Sequence, residues 1–121
     1  TLVQVGSFDE GFFMYCEEID LCRRIKEAGW KIYCVPQAEI VHLSGQSTQQ
    51  FRDRMFVALW RSRFVMFDKH ETRAFRQAAR WIAHLGLWVE AQRAGSARRR
   101  GEITDEELKA RLEAYQEVAR L

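Results

Sequence analysis

The chain has 121 residues, 47% hydrophobic and 30% charged with a single proline, a balance that excludes a disordered segment and fits one modest folded domain. No apolar run approaches the roughly eighteen residues of a membrane span. The three cysteines, Cys16, Cys22 and Cys34, lack the spacing of a disulfide framework or a zinc site and read as small apolar fillers in a reducing compartment. The formal charge of +2 is unevenly spread: residues 1–50 carry four Lys/Arg against seven Asp/Glu, residues 51–100 twelve against four, and residues 101–121 three against six. The basic middle block would face phosphate, nucleic acid or anionic lipid, or else form an ordinary solvated helix face. The chain opens on Thr1 inside the apolar stretch Leu2-Val3-Gln4-Val5, which reads as a piece of a longer protein.

In chain order, residues 1–16 mix Gly6 and Gly11 with Phe8, Phe12, Phe13 and Tyr15, and predict a strand end followed by a loop. A helix is predicted over Glu17–Ala28, with Leu21, Cys22, Ile25 and Ala28 as its apolar stripe and Gly29 as its left-handed stop. Residues 31–35 alternate like a strand closed by Pro36, and residues 39–43 predict a second short strand before a polar turn at 44–49. A long helix follows over about 50–69, then another over about 72–93 carrying Trp81 and Trp88. Residues 94–101 (Ala-Gly-Ser-Ala-Arg-Arg-Arg-Gly) read as a linker, and a last helix starts at the capping box Thr104 to Glu107.

The chemically informative stretch runs from Phe8 to Arg24, where Glu17, Glu18 and Asp20 crowd a helix N-terminus. The helix dipole favours carboxylates there, so a good helix start is the ordinary explanation. Helical geometry adds that Glu18 shares a face with Leu21, Cys22 and Ile25, whereas Asp20 lies on another side within i+4 reach of Arg24. An acid at the mouth of an apolar face, beside a second acid, is expected to have its pKa raised by desolvation and like charge, as a general base for a hydroxyl requires. His42, at the end of the second predicted strand, reads by itself as a hydrogen-bonded strand cap, and His70 and His84 as surface and helix positions.

The series Gly6-Ser7-Phe8-Asp9-Glu10, Phe12-Phe13-Met14-Tyr15, Glu17-Glu18-Ile19-Asp20-Leu21, Ala28-Gly29-Trp30, Val35-Pro36 and Val41-His42 resembles, over roughly residues 5–69, the inverting family 2 glycosyltransferases, with rhamnosyltransferase-like members the nearest in look. Glu18 stands where the family most often has Asp, and Ser7 where it has a second Gly. The resemblance implies an α/β fold: residues 1–70 as the C-terminal portion of a GT-A domain, then a helical extension over 71–121. It implies transfer of a sugar from a nucleotide-diphosphate donor to a hydroxyl of a saccharide or glycan acceptor, in cell-surface polysaccharide synthesis in the cytoplasm or at the inner membrane face. Glu18 would be the base, Glu17 and Asp20 would shape the acidic motif, and Asp9, Phe12 and Tyr15 would line the acceptor side. His42 would join the coordination of a divalent metal, Mg or Mn, whose other ligands and the nucleotide site belong to an N-terminal half not contained here. Aromatic faces suit sugar C–H surfaces but are as readily core. A turn at Ser44–Ser47 could close over donor phosphates, with Arg52 or Arg54 as counter-charge.

An isolated half-domain would be catalytically silent, and its unpaired sheet edge would favour pairing of two copies. A rival, non-enzymatic reading makes residues 71–121 a partner-binding or membrane-surface helical pair, since Trp81, Trp88 and basic neighbours are ingredients of interfacial binding. Arg98-Arg99-Arg100 between acidic flanks is too little to indicate nucleic acid.

Overall fold

A computed structural model describes residues 1–41 and 51–121. Among the described residues five helices follow one another: α1 (Leu2–Val5), α2 (Glu17–Glu27), α3 (Arg52–His70), α4 (Arg73–Arg99) and α5 (Asp105–Arg120). The α/β expectation is overturned. The described residues are mostly helical and contain no strand or sheet. Residues 31–35 and 39–41 lie exposed and irregular where strands were predicted, and the rest of the second predicted strand, His42 and Leu43, lies outside the described residues. The physical reason is the missing partner: alternating Ile32, Tyr33 and Val35 satisfy a strand pattern, but a ladder needs a neighbour, and none lies beside them among the described residues. The start of the chain is likewise a single helical turn, Leu2–Val5, not a strand end. With no sheet, the sheet-edge argument for pairing two copies loses its footing.

Two helices end by the same device. Beyond α2, the Trp30 N–H donates to Ile25 O and the Gly29 N–H to Lys26 O, with Gly29 at φ +84°. Beyond α4, the Glu102 N–H donates to Ala97 O and the Gly101 N–H to Arg98 O, with Gly101 at φ +75°. Both are Schellman ends, which need a left-handed residue and therefore favour glycine. The linker expected at 94–101 is thus mostly helix. Ala94 is buried, and packing of this turn outweighs the propensity cost of Gly95, about 1 kcal/mol. The stop signal is Gly101.

The core joins α3, from the first expected unit, to α4 and α5, from the second. Val57 and Phe64 of α3, Ala83 and Leu87 of α4, and Ala114 and Val118 of α5 form one buried cluster, flanked by Phe56, Trp60, Phe67 and Tyr115. Edge-on aromatic contacts at centroid distances of 5.3–6.4 Å link Phe56–Trp60, Phe56–Tyr115, Phe64–Phe67 and Phe67–Phe75. The N-termini of α4 and α5 are capped by Thr72 and Thr104. The second is a full capping box: the Glu107 N–H donates to Thr104 Oγ1 at 3.1 Å and the Thr104 N–H to Glu107 Oε2 at 2.8 Å.

Candidate functional site

The acidic segment is presented by a strained approach and a polar clamp. Tyr15 (φ 71°) and Cys16 (φ 67°) both occupy the left-handed region immediately before α2, and neither is glycine. Such residues cost about 1–3 kcal/mol each and persist only where surrounding structure imposes them, a pattern concentrated at functional sites. Here the imposing contacts are visible. Cys16 is buried, where burial pushes its thiol pKa up, and the Ser62 hydroxyl of α3 donates to Met14 O at 2.6 Å.

Within α2 the acids take different environments. Asp20 is wholly buried, at 0% exposure, and Glu18 is exposed. Glu17 is half-buried, and its Oε2 is a buried oxygen with no hydrogen-bond partner among the described residues. The desolvation expected at Glu18 therefore falls on its neighbours. The i+4 pairing of Asp20 with Arg24 is present at 2.8 Å, but Asp20 is also met by Lys69 Nζ and His70 Nε2, each at 2.7 Å from Oδ1. Burial alone would raise the Asp20 pKa. The bonds from Lys69, His70 and Arg24 together outweigh it and hold the carboxyl down at about 2.

The clamp extends outward. Lys69 also bridges to Asp9 at 2.6 Å, which lowers the Asp9 pKa with help from the Gly11 N–H, and its ammonium lies 5.3 Å from the centre of the Phe12 ring. Arg24 donates to Val5 O and Ser7 O, and Arg23 to Glu71 at 2.7 Å and His70 O at 2.8 Å. The N-terminal segment, α2 and the last turn of α3 are thus tied through one buried carboxylate.

Of the residues singled out from sequence, Asp9, Phe12 and Asp20 come together around Lys69. Glu17 and Glu18 stand one turn away, and Tyr15 holds the strained approach. Phe12 is buried, with Lys69 over its ring, whereas Phe13 is the exposed ring. A cleft of about 430 Å³ beside this loop is lined by Gly11, Phe13, Phe51, Arg54, Arg61 and Ser62. Arg54, proposed as counter-charge, does line it; the turn 44–47 and His42 lie outside the described residues. Lys69 and His70 were missed. Their only sequence signal is that two basic residues end a helix, which the dipole already explains.

Among the described residues no three His, Cys, Asp or Glu side chains are grouped to hold a metal ion, and His42 lies outside those residues.

The chain is 36% identical over 78 residues to an N-acetylglucosaminyl-diphospho-decaprenol L-rhamnosyltransferase of Mycobacterium tuberculosis (strain CDC 1551 / Oshkosh), a match covering 64% of this chain and 25% of that one. It is 41% identical over 54 residues to Rhamnosyltransferase WbbL of Escherichia coli (strain K12), covering 45% of this chain and 20% of that one. These similarities support a glycosyltransferase family. The chain spans a fifth to a quarter of the length of the curated relatives it matches. No family model matches, and no solved structure matches.

Proposed function

We propose that this chain carries the acceptor side of an inverting glycosyltransferase, which moves a rhamnose-type sugar from a nucleotide-diphosphate donor to a hydroxyl of a saccharide acceptor. The acceptor oxygen attacks the anomeric carbon as the bond to the nucleoside diphosphate breaks on the opposite face, and configuration inverts. Glu18 takes the hydroxyl proton. The observation that carries this assignment is the division of labour in α2: Asp20 is consumed by Arg24, Lys69 and His70, which leaves Glu18 the acid of that helix turn exposed to a substrate. A base must reach the proton it takes, and Asp20, at 0% exposure, cannot.

Asp9, Phe12 and Tyr15 then act on the acceptor side in different ways. Asp9 presents a carboxylate held by Lys69 and Gly11, while Phe12 and Tyr15 shape the floor from buried and half-buried positions. Glu17 borders the base with its unpartnered oxygen. A divalent metal would take His42 from this chain, and no step is routed through it.

In the intact enzyme, Glu18→Gln keeps the shape and removes the basicity, so kcat should fall by about a hundred- to ten-thousand-fold while donor KM holds. Near-normal kcat in Glu18→Gln, with a collapse in Glu17→Gln, would move the base to Glu17.

A further inference from the structure

Helix α4 is apolar on two opposite sides. Ala83, Leu87 and Ala94 are buried on the side of α3 and α5. On the other side Trp81, Ile82, Leu85 and Trp88 stand exposed at 78%, 70%, 62% and 61%. Their spacing of i, i+1, i+4 and i+7 is one helical stripe, roughly 20 Å long with Ala74 and Ala78 at its N-terminal end. The stripe continues into an apolar groove of about 270 Å³ between α3 and α4, where Trp60, Phe67, Phe75 and Ala78 meet Ile82.

The composition of the helix points to what covers it. From Thr72 to Val89 there is no Asp or Glu, and four basic or imidazole side chains run along the helix. Arg76 and Arg80 lean to α3, where they pair with Asp68 at 3.4 and 3.6 Å and Arg80 lies over the Phe64 ring, which leaves Arg73 and His84 exposed on the flank of the stripe. Two tryptophans within an apolar stripe, flanked by Arg73 and His84 and free of acid, match the chemistry of a bilayer interface. There indole rings sit at headgroup level, arginines meet phosphates, and carboxylates are excluded. No helix of the described residues is long and apolar enough to cross a membrane, so such contact lies in the plane of the surface. We propose that α4 is a peripheral docking surface for an anionic lipid bilayer, with Trp81, Leu85 and Trp88 entering the interface and Arg73 meeting headgroup phosphates. The groove beside Ile82 is open to an acyl chain at the same level.

The test is sedimentation of the intact protein with vesicles of phosphatidylcholine alone and of phosphatidylcholine with 30% phosphatidylglycerol, at low and high salt. Binding to the anionic vesicles should exceed binding to the neutral ones and weaken with salt. Leu85→Glu/Trp88→Glu, at two exposed positions, should weaken it about a hundred-fold, tenfold for each anchor removed, while the melting temperature stays within a few degrees. Equal binding to both vesicle types would overturn the proposal. So would a double variant that melts much earlier, because the face would then pack against protein. A concentration-dependent dimer that the double variant abolishes, without vesicle binding, would assign the face to a second copy instead.

Discussion

Replacing Asp20 by Asn tests the clamp that holds the site, and its cost can be reached by two routes. Asn preserves volume but withdraws the charge that Arg24, Lys69 and His70 converge on. Breaking a buried ion pair by removing one partner typically costs about 3–5 kcal/mol. The lower end applies here, because Lys69 keeps Asp9 and Arg24 keeps the carbonyls of Val5 and Ser7. The second route is linkage. A carboxyl held at about 2 against an ordinary 3.8 contributes about 2.5 kcal/mol. The folded-state pKa is depressed, so this contribution is present above pH 4 and is lost as pH falls towards 2. Urea unfolding at pH 7 should therefore show Asp20→Asn less stable by about 2.5–3 kcal/mol. Between pH 4 and 2 the wild-type should lose stability faster than the variant. A cost below about 1 kcal/mol, or parallel pH slopes for the two proteins, would refute the reasoning.

Thr104→Ala removes the capping box of α5 and should cost about 1 kcal/mol, visible as a melting temperature lower by a few degrees. Gly95→Ala should stabilise α4 by up to about 1 kcal/mol, since the nearest atom to an added Cβ is an Arg99 guanidinium nitrogen 4.0 Å away. Gly101→Ala, at φ +75°, should instead destabilise by about 1 kcal/mol, so denaturant midpoints of the two variants should move in opposite directions. For the proposed metal role of His42, His42→Ala should raise the Mn concentration for half-maximal activity by about tenfold, and the loss should shrink at saturating metal. Unchanged metal dependence with lower thermal stability would make His42 structural.

What sequence made legible was local. The start of α2 and its Schellman end at Gly29, the span of α3 and the Thr104 capping box rest on interactions within about six residues, and they stand where expected. The C-terminus of α4 was misplaced because two glycines competed. Gly95 looks like a stop but packs inside a helix turn with buried Ala94, while Gly101 makes the left-handed end. The alternation at 31–35 was real, but nothing local states whether a partner strand exists. The acids show the same limit. The apolar stripe Leu21, Cys22 and Ile25 argued for burying Glu18, yet Cys22 is exposed and the helix seats its polar side, Asp20 with Arg23 and Arg24, on the end of α3. The partners that decide this, Lys69 and His70, lie about fifty residues away and carry no signal of their own.

The most direct measurement of the central claim is the pH dependence of kcat/KM for sugar transfer by the wild-type, Glu18→Gln and Glu17→Gln forms of the intact enzyme, taken above pH 4, where the Asp20 clamp is fully ionised. The wild-type and Glu17→Gln should share an acidic limb, the protonation of the base, and Glu18→Gln should lose that limb and retain a low, flat rate. An acidic limb that survives in Glu18→Gln and vanishes in Glu17→Gln would contradict the assignment.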